Sequence, residues 1–520
     1  MSPGILGIAT VTFACLTLVS RTSAATSCED LALLTLPETT ITAAHEVPAG
    51  NFTPSGTSIE LSNLPAFCRV ALTVAPAINI EVWLPKSTWN ERYQGVGGGG
   101  YAGSISYSAL ATALRAGYAT ASTDTGHVGG SGTFALNPDG TLNWGLIEDF
   151  ARRSLHEMVL KAKSLINDYY GAGPKYSYWT GCSTGGRQGL MAVQQFPEEY
   201  DGLVIAAPAI NWERFIAAEI WPQIVMQQEV GGPITPAKLS AVNDAAVAAC
   251  DAADGVTDGV INDPRKCDYD PAASICPAGN PATCLTQQEA NAVRKIWNGP
   301  TSMNGKKRLW FGLEPGASFG GLANVFPFPI ATTHLAYWVI QDPDFDWKTV
   351  NESGFEAQLR TSIRKFNEVI GTDNDNLQAF RSRGGKVLMW HGEADQLIFP
   401  RGTVNYYERV ATGNGGLKHV DNFMRLFLAP GVAHCAGGAG PNPVGTLEAV
   451  VDWVEHGIAP ERVMASRTLP DGTVRTRPLC PYPTTAQWVG AGSTDDAANF
   501  ICVGGGHDKA DFKITGFGSN

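Results

Sequence analysis

The stretch YWTGCSTGGRQGL, Tyr178–Leu190, predicts a reactive serine on a tight turn. Its centre, Gly181–Gly185, matches the pattern Gly-x-Ser-x-Gly, with Ser183 in the middle. A strand-like YSYW precedes this centre, and a helix is predicted from about Gly186 to Gln195. A serine between a strand and a helix lies on a sharp, strained turn whose glycine neighbours leave room for the close backbone. A surface turn with an incidental serine is the alternative, and the flanking strand and helix favour the first interpretation.

Strand-like and helical segments alternate on both sides of this turn. The apolar residues from Ile147 to Tyr170 recur at helical spacing, and Gly171 ends that segment. The strand-like segments are INIEVWL ending at Leu84, RYQGV, GYATAST, KYSYW, GLVIAAPAI, KVLMW and FMRLFLAPG, and TLEAVVDWVEHG reads as a late helix. This alternation predicts an α/β fold with a parallel sheet, and the serine turn identifies it as an α/β-hydrolase fold.

The alternation of strands and helices is interrupted between residues 208 and 385. This region is rich in Trp, Pro, Asn and paired cysteines. We therefore predict a large insertion between two late strands, which caps their carboxyl ends as a lid domain. The catalytic domain would comprise residues 25–207 and 386–520. No internal repeat or low-complexity linker stands out.

The first 24 residues predict a secretory signal peptide, and so a secreted protein. An apolar run extends from Ile5 to Val19, and small residues follow it up to a cleavage point near Ala24 or Ala25. A membrane anchor is the alternative, but the run is short for a span of about 20 residues.

The charge of the chain argues against two classes of partner. The formal net charge is −12. A chain this acidic has no electrostatic basis for binding nucleic acid or an anionic membrane. The oligomeric state does not follow from the sequence.

A serine nucleophile needs a histidine base and a carboxylate that orients it. In this fold the chain order is nucleophile, acid, histidine. Asp395 follows the strand KVLMW in the loop HGEADQL, and His434 follows the next strand in VAHC. His391 and Glu393 flank Asp395, but His391 precedes the acid, so we interpret it as a supporting or structural residue. His127 could line the pocket, although a structural role fits it better.

The cysteines predict a clamp between the two catalytic loops. Of 11 cysteines, Cys15 would leave with the signal peptide, and the remaining ten predict five disulfides in a secreted chain. If Ser183 and His434 meet, their neighbours Cys182 and Cys435 lie close enough to pair. Pairing elsewhere, free thiols, or Cys182 as the nucleophile are the alternatives. Sequence order suggests that the others pair locally, as Cys28–Cys68, Cys250–Cys267, Cys276–Cys284 and Cys480–Cys502.

These motifs together resemble those of the tannase and feruloyl esterase family. The resemblance rests on GCSTGGRQG, on GEAD with Asp395, on HC at His434, and on GVGGGGYAG upstream. It implies an oxyanion hole formed by the backbone N–H of Thr184 and by one from the glycine loop. We place the second donor at Gly99, with Gly98 as the neighbouring alternative.

The segment CDAADGVTDGVINDPRKC in the insertion is a candidate calcium loop. Asp251, Asp254 and Asp258 offer the carboxylate oxygens that calcium prefers. The resemblance implies three such carboxylates and two backbone carbonyls, which fall at Val256 and Val260. An acidic turn capped by a disulfide is the alternative. We expect the ion to be structural, because a serine triad needs no metal.

The resemblance places the substrate among esters of aromatic acids. We expect a serine esterase acting on feruloyl esters, either small molecules or feruloylated plant polysaccharide, with galloyl esters of tannins as the alternative. A serine peptidase would need room for an extended peptide. A calcium-stabilised binding protein on an inactive hydrolase scaffold is the alternative from another class, but such proteins typically lose a catalytic residue.

Overall fold

The computed structural model of the protein describes residues 26–276, 282–305 and 307–505. The predicted signal peptide, residues 1–24, lies outside the described residues. Within them, no helix combines the length and apolar character that a bilayer crossing requires.

A nine-stranded mixed sheet forms the centre of the molecule, in the order β1-β4-β5-β7-β6-β8-β9-β10-β11. The six strands from β7 to β11 in this order pair in parallel, whereas β1, β4 and β5 pair antiparallel at one edge. Three small antiparallel sheets join β2 with β3, β12 to β14, and β15 with β16. The strands are β1 (Thr39–Val47), β2 (Gly50–Phe52), β3 (Leu61–Leu64), β4 (Phe67–Val74), β5 (Ile78–Pro85), β6 (Arg92–Val96), β7 (Ala119–Thr123), β8 (Tyr176–Cys182), β9 (Gly202–Ala206), β10 (Lys386–Gly392), β11 (Met424–Ala429), β12 (Asn442–Val444), β13 (Val463–Thr468), β14 (Val474–Leu479), β15 (Thr485–Trp488) and β16 (Phe500–Val503).

Helices cover the sheet and make up most of the ordered structure of the insertion. The α-helices are α1 (Tyr107–Arg115), α2 (Trp144–Glu148), α3 (Ser154–Tyr170), α4 (Thr184–Gln195), α5 (Trp212–Ala218), α6 (Trp221–Val230), α7 (Pro236–Cys250), α8 (Gln287–Asn298), α9 (Pro329–Thr333), α10 (Glu352–Ile370), α11 (Gln378–Ser382), α12 (Pro400–Gly413), α13 (Leu417–Val420) and α14 (Thr446–His456). Two π-helical segments are Asp149–Arg153 and His334–Ile340. Short 3-10 turns are Glu29–Leu33, Gly132–Ala135, Asp251–Asp254, Pro264–Lys266, Pro271–Ser274, Trp347–Thr349 and Ala497–Asn499.

The sheet and its helices confirm the predicted α/β-hydrolase fold, with several local differences. The helix expected over residues 147–170 starts at Trp144 and contains a π-helical stretch, Asp149–Arg153, before it ends at Gly171 with φ 74°. The antiparallel edge strands β1 and β4 were not predicted. They follow no helix, so the strand–helix alternation that identified the parallel core carries no signal for them.

The insertion lies between two adjacent strands of the sheet, β9 and β10. Between them, the described residues form helices and turns with only isolated bridges. The insertion has an apolar core with Trp310, Leu335 and Phe355, which continues into Tyr101 and Phe150 of the sheet side. We call residues 208–385 the lid.

Candidate active site

Ser183 lies on a strained turn between the end of β8 and the start of α4. Its backbone angles, φ 62° and ψ −125°, fall where an L-residue is rarely found. The turn is tight, because a Cβ on Gly181 would lie 2.3 Å from the carbonyl oxygen of Gly185. The backbone of Ser183 is fixed by its N–H, which donates to Ala206 at 3.1 Å, and by its carbonyl, which accepts from Ala209 at 3.0 Å. The surrounding sheet therefore holds the strained conformation in place.

Asp395 is fully buried in the loop after β10, where four donors surround its carboxylate. Oδ1 accepts from the backbone N–H groups of Leu397 at 2.8 Å and Ile398 at 2.9 Å. Oδ2 faces Nδ1 of His434 at 2.8 Å and Nε2 of His391 at 3.2 Å. Burial alone would raise the pKa of Asp395, but the hydrogen bonds from the two histidines outweigh it and lower the pKa below its ordinary value. Asp395 is therefore an anion.

His434 is positioned at both its backbone and its ring. The backbone N–H donates to Oε1 of Gln396 at 3.0 Å, and Nδ1 faces Asp395. The side chain is 13% exposed, whereas Asp395 behind it is 0% exposed. With Nδ1 engaged by the carboxylate, Nε2 is the nitrogen that can take a proton from a further partner.

Cys182 and Cys435 form a disulfide with a Cα–Cα distance of 5.8 Å. The residue after Cys182 is Ser183 and the residue before Cys435 is His434, so the bond draws the serine and histidine loops together. Cys435 has a positive φ of 63°, which re-aims the chain directly after the histidine. The other predicted pairs are also present, as Cys28–Cys68, Cys250–Cys267, Cys276–Cys284 and Cys480–Cys502.

The glycine loop after β6 lies against the start of α4. Gly97 approaches Gly185 so closely that a Cβ on Gly97 would lie 2.4 Å from the Gly185 Cα. Thr184 is the first residue of α4, so no carbonyl within the helix can satisfy its N–H. Gly98 donates its N–H to Oε1 of Gln188 at 2.9 Å, which removes it from competition as an oxyanion donor. Gly99 is exposed with open space around its Cα, and the assignment of the second donor to Gly99 stays a prediction.

Arg187, one turn into α4, is a buried cation that the sequence interpretation missed. It is 0% exposed, and it donates to the carbonyls of Ala151 at 2.8 Å and Phe150 at 3.0 Å. Its guanidinium lies 5.0 Å from the Phe150 ring centroid and 5.8 Å from that of Trp212. Burial lowers its pKa to about 9. It holds the π-helical stretch against the helix that follows Ser183.

The alternative site residues have other surroundings. His391 accepts from or donates to Thr403 Oγ1 at 2.8 Å through Nδ1, and its Nε2 faces Asp395, so it supports the acid. His127 is buried and stacks on Phe134 at 3.9 Å, and burial lowers its pKa. Glu393 is buried, and burial raises its pKa well above the ordinary value. Neither His127 nor Glu393 shows a contact with His434.

The candidate calcium loop does not present a formed metal site. Both oxygens of Asp251 accept backbone N–H groups of the loop, including Gly259 at 2.9 Å. Oδ2 of Asp258 pairs with Arg477 at 2.7 Å and with Arg475 at 3.3 Å. Among the described residues, no three His, Cys, Asp or Glu side chains converge as a metal ion would require. In this structure backbone N–H groups and arginines engage the carboxylates of Asp251 and Asp258, and calcium binding stays a prediction.

A strained serine at a strand–helix turn and a buried Asp–His pair at neighbouring strand ends define a protein of the α/β-hydrolase class. Family comparison agrees: the model for tannase and feruloyl esterase matches residues 62–327 and 313–503. The chain belongs to the tannase and feruloyl esterase family, and it is a carboxylic ester hydrolase. This confirms the resemblance drawn from the sequence motifs.

Known relatives match over most of their length. A probable feruloyl esterase of Arthroderma benhamiae is 38% identical over 84% of this chain and 85% of its own. An uncharacterised esterase of Xanthomonas campestris is 36% identical over 94% of this chain and 92% of its own. The crystal structure of feruloyl esterase B from Aspergillus oryzae superposes with a TM-score of 0.85 and 31% identity, over 92% of this chain and 99% of its own.

Proposed function

We propose that the protein hydrolyses esters of hydroxycinnamic acids, most of all feruloyl esters, with Ser183 as the nucleophile. The observation that carries this proposal is the disulfide that fastens the strained Ser183 turn to the loop of His434, whose Nδ1 faces the anion of Asp395 at 2.8 Å. We assign the nucleophile, the orienting acid and the base to these three loops, in the chain order that this fold uses.

The reaction begins when His434 removes the proton of the Ser183 hydroxyl through Nε2. The serine oxygen attacks the ester carbonyl, and the carbonyl oxygen becomes an oxyanion. The backbone N–H groups of Thr184 and Gly99 stabilise that oxyanion as fixed donors at the start of α4 and in the glycine loop. Asp395 keeps His434 in the correct tautomer and stabilises its imidazolium.

The second half of the reaction restores the serine. The imidazolium of His434 protonates the leaving alcohol, and the aromatic acyl group remains on Ser183. Water then loses a proton to His434 and attacks the acyl-enzyme, and His434 returns that proton to the Ser183 oxygen as the acid leaves. The carboxylate of Asp395 stays ionised throughout, because four donors stabilise its charge.

The Ser183→Ala variant tests the chemistry. We expect hydrolysis of aryl esters to fall at least about 10⁴-fold, while the melting temperature stays near that of the wild type. Ser177→Ala, at the opposite end of the same strand β8, is the control and should retain activity. Full activity in Ser183→Ala would refute the nucleophile. An inactive wild-type protein that still binds aromatic esters would instead support the binding-protein alternative.

A panel of substrates identifies the acyl group that the enzyme prefers. Feruloyl esters are favoured because the similar proteins from A. benhamiae and A. oryzae are named feruloyl esterases. The panel comprises methyl ferulate, methyl 4-hydroxycinnamate, methyl gallate and a simple alkyl ester. We expect the highest kcat/KM with methyl ferulate. A large preference for methyl gallate would assign the protein to galloyl esters, and feruloylated arabinoxylan then tests the polymeric substrate.

We also propose that the loop Asp251–Val260 binds a structural calcium ion. Supporting this, burial and the charges of Asp258 and Asp251 raise the pKa of Asp254, a repulsion that a cation would relieve. In this loop Asp251, Asp254 and Asp258 would supply carboxylates, and Val256 and Val260 would supply carbonyls. Calcium should raise the melting temperature of the wild type and not of Asp254→Asn. Equal melting curves with calcium and with chelator would exclude the site.

Secretion is the remaining part of the proposal. The five disulfides of the described residues favour an oxidising compartment. Expression of the full chain in its host, followed by N-terminal sequencing of the protein in the medium, should find a start near residue 25. Protein that stays in the cell with Met1 in place would contradict secretion.

A further inference from the structure

A buried carboxyl group of the lid, Glu219, lies ten residues after the backbone contact between Ala209 and Ser183. After β9 the chain passes the nucleophile, where Ala209 donates to the Ser183 carbonyl, and then enters α5. Glu219 follows the last residue of α5 with helical backbone angles. Its side chain is 1% exposed, and within the described residues its Oε2 has no hydrogen-bond partner. A buried carboxyl oxygen without a hydrogen bond costs stability, and a hydrogen bond from a ligand would remove that cost.

A second unpartnered polar atom lies on the same face of this helix. Trp212 and Glu219 stand about two helical turns apart, so their side chains project on the same side. The indole Nε1 of Trp212 is buried and, in the described part of the chain, also lacks a partner. One helix face of the lid thus offers a donor and a carboxyl group that the protein itself leaves unused.

Aromatic rings and the glycine loop surround this face. Tyr101 follows the glycine loop directly, and its ring centroid lies 5.4 Å from that of Trp212. Phe134, Phe150 and Trp338 lie within 5.7 to 5.8 Å of the same Tyr101 ring. The Ile330 side chain of the lid would contact a Cβ on Gly100 at 3.4 Å, so the lid closes over the loop at this point. These rings form a buried aromatic cluster beside the glycine loop, and such a cluster packs well against a further flat aromatic ring.

Glu219 is neutral in this environment. Burial raises its pKa well above the ordinary value, and the charge of the nearby Asp395 adds to the shift. Burial raises the pKa of Tyr101 most, and the charge of Glu219 adds to that shift. A neutral carboxyl group can donate one hydrogen bond and accept others, as a phenolic hydroxyl requires.

We propose that Glu219 recognises the hydroxyl group on the aromatic ring of the acyl half of the substrate. The inference rests on the proposed function, and it adds which residue distinguishes a hydroxylated ring from a bare one. The carboxyl oxygen and proton of Glu219 pair with the ring hydroxyl, while Tyr101 and its neighbours pack against the ring. A site that hydrogen-bonds a substrate hydroxyl rejects the analogue without it, because the protein group is then left unpaired.

The test compares two esters on the same enzyme preparation. Methyl 4-hydroxycinnamate and methyl cinnamate differ only in the ring hydroxyl, and the ratio of their kcat/KM values does not depend on the folded fraction. In the wild type we expect this ratio to be about 10 to 100. Glu219→Leu should bring the ratio to about one, chiefly by lowering kcat/KM for the hydroxylated ester. Glu219→Gln, which keeps a donor and an acceptor, should retain most of the preference.

Glu213 on the same helix provides the matched control. It is also a fully buried acid whose carboxyl oxygens lack a hydrogen bond among the described residues, but a cation, Arg214, lies 3.1 Å from it, and it packs beside Gly371. Glu213→Leu should leave the ratio unchanged, whatever it does to stability. An unchanged ratio in Glu219→Leu, or an equal loss for both esters, would overturn the assignment.

Two outcomes separate this inference from the proposed function. If the wild type hydrolyses neither cinnamoyl ester, the proposed function fails. If it hydrolyses both equally well, the proposed function stands and the role of Glu219 is refuted. Should Glu219→Leu not fold, binding of free 4-hydroxycinnamate and cinnamate to Ser183→Ala and to Ser183→Ala/Glu219→Ala gives the same comparison: a preference for the hydroxylated acid that is lost in the double variant supports the role, and an unchanged preference contradicts it.

Discussion

Two buried acids, one in the sheet and one in the lid, have opposite surroundings. Asp395 lies in a loop at a strand end, where backbone N–H groups and two histidines supply four donors and keep it charged. Glu219 lies at a helix end in the lid, where its Oε2 finds no donor among the described residues and burial keeps it neutral. The same functional group thus serves as a fixed charge in one region and as a neutral hydrogen-bonding group in the other.

The comparison separates two tasks. Loops at the strand ends are tied to the sheet, and they hold the groups to which we assign the making and breaking of bonds. The lid packs its own core against that sheet, and it can vary the groups that contact the substrate. Substitutions in the two regions should therefore affect different kinetic quantities, from turnover in the sheet loops to selectivity and stability in the lid.

The largest effect is expected for Asp395→Asn. The amide cannot hold His434 in the tautomer that accepts a proton, so kcat should fall about 10⁴-fold with the fold intact. Steady-state kinetics and a thermal melt measure the two quantities. Asp421→Asn is the control. Asp421 accepts a hydrogen bond from Tyr407 at 2.7 Å, and it precedes β11, whereas His434 follows the other end of β11. A loss below tenfold in Asp395→Asn would remove Asp395 from the mechanism.

The next largest effect is expected from the disulfides. Cys182→Ala/Cys435→Ala frees the serine loop from the histidine loop, and kcat should fall roughly 10- to 100-fold because misplaced groups react slowly. This bond joins positions 253 apart, so its loss should also lower the melting temperature. Cys250→Ala/Cys267→Ala in the lid, with a separation of 17, should lower only the melting temperature. Equal losses of kcat in the two double variants would contradict the assignment of turnover to the sheet loops and of stability to the lid.

A smaller effect is expected from His391→Gln. The imidazole lies between Thr403 and Asp395, so its loss loosens the acid without removing it. We expect kcat to fall about tenfold with KM little changed, because His391 acts on substrate only through Asp395. Thr403→Val should have a weaker effect of the same kind. A change confined to KM would instead place His391 in substrate binding.

The smallest effect concerns the pH dependence of stability. Burial raises the pKa of Glu213 from 4.5 to about 7, with Asp373 adding to the shift and Arg214 opposing it. Between these values the folded chain binds a proton that the unfolded chain has lost, so the free energy of unfolding falls as the pH rises. The melting temperature of Glu213→Gln should therefore fall less from pH 5 to pH 8 than that of the wild type. Parallel decreases would show that Glu213 is ionised in the folded protein.

The sequence predicted the parts of the site that are local in the chain. Ser183, Asp395 and His434 each lie within five residues of the end of a strand, so a short motif and its position were sufficient to predict the strained turn and the Asp–His contact. Leu397 and Ile398 donate to Asp395 through their backbone N–H groups. Nearly every residue type has such a group, so the sequence does not predict these two donors. The role of Glu219 could not be predicted, because its surroundings come from Tyr101, α5 and the Asp395 loop. These segments are distant in sequence, and only the packing of the lid on the sheet brings them together.

The bond between Cys182 and Cys435 also determines when, during synthesis of the chain, the site can be completed. The chain leaves the ribosome from its N-terminus, so the nucleophile turn emerges 253 positions before its partner cysteine. Until then Cys182 has no native partner. Cys28, Cys68 and Cys250 are synthesised before Cys435, and each can form a non-native disulfide with Cys182. Completion of the site is thus one of the last events of biosynthesis, and a host for production needs a disulfide isomerase as much as an oxidant.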